Sequence, residues 1–80
     1  MDISLARGLL AAKFRSAAEL QSMLPALKGG CTAAEYDLYL RAIAAVIAEM
    51  SLQITNRLRA EHPELDLEVQ AAVDRDGKYP

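Results

Sequence analysis

The chain has no tryptophan and only one phenylalanine, one cysteine and one histidine among its 80 residues. Each scarcity removes a class of function. A lone Cys31 cannot close an intramolecular disulfide, and neither CxxC nor Cys/His spacing is present to hold zinc, so a reducing, cytoplasmic setting is expected. With His62 as its only histidine, the chain lacks the ExxH pairs of carboxylate-bridged metal sites in helical bundles. Glycine-rich phosphate loops, nucleophile elbows and HExxH are missing too, so neither an enzyme nor a cofactor is expected. Long apolar runs are also lacking. The longest, residues 42–48, falls far short of the ~20 residues that cross a bilayer, and Asp2, Arg7, Lys13 and Arg15 break any signal-like N-terminal stretch, so no membrane association is expected.

What is present points to helix. Hydrophobic residues make up 52% of the chain, with alanine and leucine dominant, which is too apolar for a disordered segment. The net charge of −2 divides unevenly. Residues 1–60 hold seven basic against five acidic side chains, net +2, and residues 61–80 hold two against six, net −4. No concentrated basic stripe exists, so nucleic acid is not an expected partner, whereas the acidic tail would suit a protein partner with a basic surface.

From Asp2 onward, apolar residues recur at helical spacing through Ile3, Ala6, Leu10, Phe14, Ala17, Leu20 and Leu24, predicting a first helix over about 3–24. Pro25 should kink or end it, with Gly29 and Gly30 supplying left-handed conformations for a chain reversal. Thr32-Ala33-Ala34-Glu35 is a capping box, which places Cys31 just before the cap, where a small apolar group packs against Tyr36. A second helix is predicted over about 33–61, stopped by His62-Pro63 and about 42 Å long.

Its seam, Tyr36, Leu40, Ile43, Ile47, Met50 and Ile54, steps by fours and threes on to Leu58, with Tyr39 beside it. A second apolar line, Leu38, Ala45 and Leu52, lies on the opposite side, and one partner helix cannot cover both. The expected architecture is therefore all-α: a long antiparallel hairpin over 1–62 and an acidic segment over 63–80. In that segment Leu65, Leu67 and Val69 alternate as in a strand, but Leu65, Val69, Ala72 and Val73 also fit one helical face; a short helix from about Pro63 to Asp74 is the favoured reading, which could lie over the second line or over a neighbouring subunit, ahead of a loose tail. Two hairpins would dimerise into a four-helix bundle.

Lys13 falls within the apolar stripe of the first helix, at the level of Ile47 to Glu49, and Lys13 with Glu49 forms a candidate registry pair. Tyr36, Tyr39, Met23 and Met50 suit packing better than ligation. The function expected is a small non-catalytic interaction module, a regulator, inhibitor or assembly factor acting as a homodimer. The alternative is a carrier of an apolar ligand or haem inside a bundle. Catalysis by Cys31 with His62 would need two groups at opposite ends of the second helix.

Overall fold

A computed structural model of the chain describes residues 1–79. Every element among them is helical: α1 (Ile3–Ser22), α2 (Leu24–Gly30), α3 (Ala33–Met50), a π-turn (Ser51–Thr55), α4 (Asn56–Glu61) and α5 (Leu65–Asp76). Three continuous pieces result. α1 and α2 form one bent helix, α3 to α4 form one long helix over Ala33–Glu61, and α5 stands alone.

The bend falls at Met23, two residues before Pro25. Proline has no amide hydrogen to donate and its ring crowds the preceding turn, so the chain re-enters helix with Pro25 in the first turn of α2, where a missing donor costs nothing. The first helix thus runs beyond the expected end near Leu24 to Gly30. The reversal also differs from expectation, because Gly29 and Gly30 stay helical and Gly77 is the only described glycine with positive φ. Extended Cys31 (φ −121°, ψ 160°) and Thr32 (φ −66°, ψ 163°) turn the chain instead, a geometry open to any residue.

Past that turn the capping box forms as expected. The Glu35 amide donates to Thr32 Oγ1 at 3.1 Å, and the Thr32 amide donates to the Glu35 carboxylate at 2.9 Å, so two amides that the helix cannot satisfy find partners. The Thr32 amide, and after it the Thr32 side chain, holds the Glu35 carboxyl below its usual range. The long helix continues through the π-turn, where the Asn56 amide donates to Ser51 O, five residues back, and it ends at Glu61 before His62-Pro63.

The core gathers at one end. Ala6 and Leu10 of α1, Leu58 of α4 and Leu65 of α5 are buried together, with Ile3, Phe14, Ile54, Val69 and Tyr79 packed around them. Leu65 and Leu10, 0% and 2% exposed, are its largest sealed side chains. The start of the chain is tied to the end of the long helix there, since the Met1 ammonium bonds Glu61 and His62 Nε2 donates to Met1 O at 2.8 Å.

α5 begins at Leu65 rather than Pro63 and packs on this core, leaving the Leu38–Leu52 line uncovered. The end of the chain is not loose up to Tyr79, whose ring meets Phe14 with centroids 5.5 Å apart. Charge holds α5 as well. Arg7 donates to both Glu68 oxygens at 2.6–3.0 Å, and Arg59 reaches Asp66 at 2.7 Å. The uneven division of charge along the sequence becomes intramolecular complementarity, with a basic body holding an acidic third helix.

Candidate interaction surface

Away from the core the molecule is thin. No residue of α3 is buried, although it carries Tyr36, Leu38, Tyr39, Leu40, Ile43, Val46 and Ile47 within one stretch of 18 residues. Along the predicted seam, Tyr36, Ile43, Ile47, Met50 and Ile54 are half-buried, while Tyr39 and Leu40 are exposed. On the opposite side Leu38 and Leu52 are 63% and 59% exposed, with Ala45 open between them. By length and composition alone Ala33–Glu61 would suffice to cross a bilayer, a criterion that core helices of soluble proteins also meet.

Global dimensions carry the same message. The radius of gyration is 14.9 Å, where a compact 80-residue chain has about 11.6 Å, and the extents are 45 × 26 × 16 Å. The accessible surface of 5510 Å² exceeds by about 800 Å² what is typical for a folded monomer of this mass.

Lys13 lies within this packing, 7% exposed, its ammonium 4.0 Å from the centre of the Phe14 ring. The expected pairing with Glu49 does not form. Glu49 follows Ile47 by two residues, a rotation of about 200° about the helix axis, so it faces away from α1. There it accepts from Gln53 Nε2 at 2.9 Å, and Gln53 Oε1 accepts from Arg57 at 3.1 Å.

Burial with no anion beside it holds the Lys13 ammonium below the ordinary lysine range. The unfolded chain keeps this proton up to about pH 10.4 and the folded chain releases it earlier, so stability rises with pH between those two values. Lys13→Met removes the dependence. Its urea midpoint should exceed that of the wild type at about pH 7, and the gap should narrow by about pH 10; a constant gap would contradict the burial of charge at this position.

The other singled-out side chains do not converge. Cys31 and His62 flank the long helix at its two ends, separated by the ~43 Å that 29 residues span. His62 is occupied by Met1 and by Glu64, 3.4 Å from its Nδ1. No group of three potential metal ligands forms among the described residues. The apolar spacing of the C-terminal segment includes Leu65 but not its partners: those of Leu65 and Tyr79 in α1 lie more than 50 positions away and leave no local pattern. What the geometry assembles is an open apolar face on a long, solvent-washed helix. Compared with known proteins, the chain matches no family model, no curated protein and no solved structure.

Proposed function

We propose that this chain is a small non-catalytic interaction module that works in the cytoplasm as a homo-oligomer. In this reading the bent first helix and the long second helix act as an antiparallel hairpin, and two hairpins join along α3 into a four-helix bundle. One observation carries it: an 18-residue helix rich in leucine, isoleucine and tyrosine with no buried residue. Exposed apolar surface on this scale marks an interaction site. The surplus of about 800 Å² equals one partner's share of an interface of standard size.

A second copy suits this surface better than a basic protein, because Glu61, Asp66 and Glu68 are already engaged by cations of the same chain. The direct test is the solution mass by light scattering. Twice the chain mass of 8.7 kDa or a higher multiple is expected, and a stable monomer at all concentrations would overturn the reading.

A further inference from the structure

Five of the nine Lys and Arg side chains donate to a partner: Arg7 to Glu68, Arg41 to Asp37, Arg57 to Gln53, Arg59 to Asp66 and Arg75 to Asp76. Lys13, Arg15, Lys28 and Lys78 have neither hydrogen bond nor ion pair among the described residues. Three of these four line a single groove of about 640 Å³, and none of the groove's lining residues is acidic. Its remaining wall is mostly apolar, with Phe14 from α1, Ile47 from α3, Val73 from α5 and Tyr79 beyond it.

A buried lysine without a counter-charge is costly, and such groups ordinarily pair or lose their proton. Lys13 is more than nine-tenths buried, yet its ammonium is not sealed: the only sealed, unpartnered side-chain polar atom among the described residues is Thr55 Oγ1. The lysine stem is therefore packed, and Lys13 lines the groove with its ammonium 4.0 Å from the centre of the Phe14 ring, another lining residue. A volume of this size is within the range of small-molecule sites, which combine apolar walls with a few placed polar groups.

We infer that the groove between α1, α3 and the end of α5 binds a small amphipathic organic anion, with a carboxylate head on Lys13, Arg15 and Lys78 and an apolar body along Phe14, Ile47, Val73 and Tyr79. The site does not use the Leu38–Leu52 line on the other side of the long helix, so its test is read whatever the oligomeric state.

Sodium octanoate, with 1-octanol as its uncharged counterpart, is titrated into the full-length protein while backbone amide shifts are followed. Octanoate should saturate, moving the amides of Lys13, Ile47 and Val73, and 1-octanol should bind at least about tenfold more weakly. Lys13→Met should fold at least as stably as wild type and lose about tenfold in octanoate affinity. Arg15→Gln should lose several-fold, while Lys28→Met, which removes the unpartnered cation outside the groove, should bind as wild type does. The inference is overturned if octanoate gives no saturable shifts at millimolar concentration, if 1-octanol binds equally well, or if Lys13→Met and Lys28→Met behave alike.

Discussion

Replacing Leu10 by alanine is expected to lower the unfolding free energy by about 3 kcal/mol, within the ~2–5 kcal/mol range of leucine truncations in well-packed cores. Leu10 is 2% exposed and meets Ala6, Leu58 and Leu65 where all three helical pieces converge. No second cluster of buried side chains can take up the loss, because the rest of the long helix contributes nothing sealed. A chain of this size has roughly 4–12 kcal/mol in total, so the variant gives up a large part of it. The thermal midpoint should fall by roughly 12–24 °C in a melt followed by far-ultraviolet circular dichroism at fixed protein concentration. A loss below about 1 kcal/mol would mean that the stabilising packing lies elsewhere.

The second large effect concerns association. Leu38→Glu combined with Leu52→Glu puts two carboxylates on side chains that are mostly in water already, so the single chain should keep its helicity. In an oligomer joined along this face the same carboxylates would be desolvated next to leucine and to one another across a symmetry axis, which is strongly unfavourable. Light scattering should then give 8.7 kDa for the double variant, with an unchanged circular dichroism spectrum. Retention of the wild-type oligomeric mass would remove the Leu38–Leu52 line from the interface.

The contrast between these two sites shows what local sequence reasoning reaches. Thr32 with Glu35, and His62 with Pro63, act on backbone groups within a few residues, so the limits of the long helix could be read directly, as could the uncovered line at Leu38, Ala45 and Leu52. Lys13 stood out because a cation on an apolar stripe is anomalous at any register. Matching levels along two helices fixes height and not azimuth, so it pairs Lys13 with Glu49, whereas azimuth turns Glu49 toward Gln53. The position of the core was hidden for a different reason: Leu65 joins Leu10 across 55 residues, and nothing near either announces the other. The π-turn is equally silent, since Ser-Leu-Gln-Ile-Thr is compatible with an ordinary helix.

That π-turn makes the chain unequally sensitive to changes of length. In a regular α-helix the loss of one residue rotates everything beyond it by about 100°, so a deletion within residues 42–48 would swing Leu58 away from Leu10 and open the core. Ser51–Thr55 already holds one residue more than an α-turn requires, recorded in the bond from the Asn56 amide to Ser51 O. Losing one residue there would relax the turn to α-geometry while both halves of the helix kept their facing. This is the one stretch of the long helix where a shorter sequence still specifies the same packing.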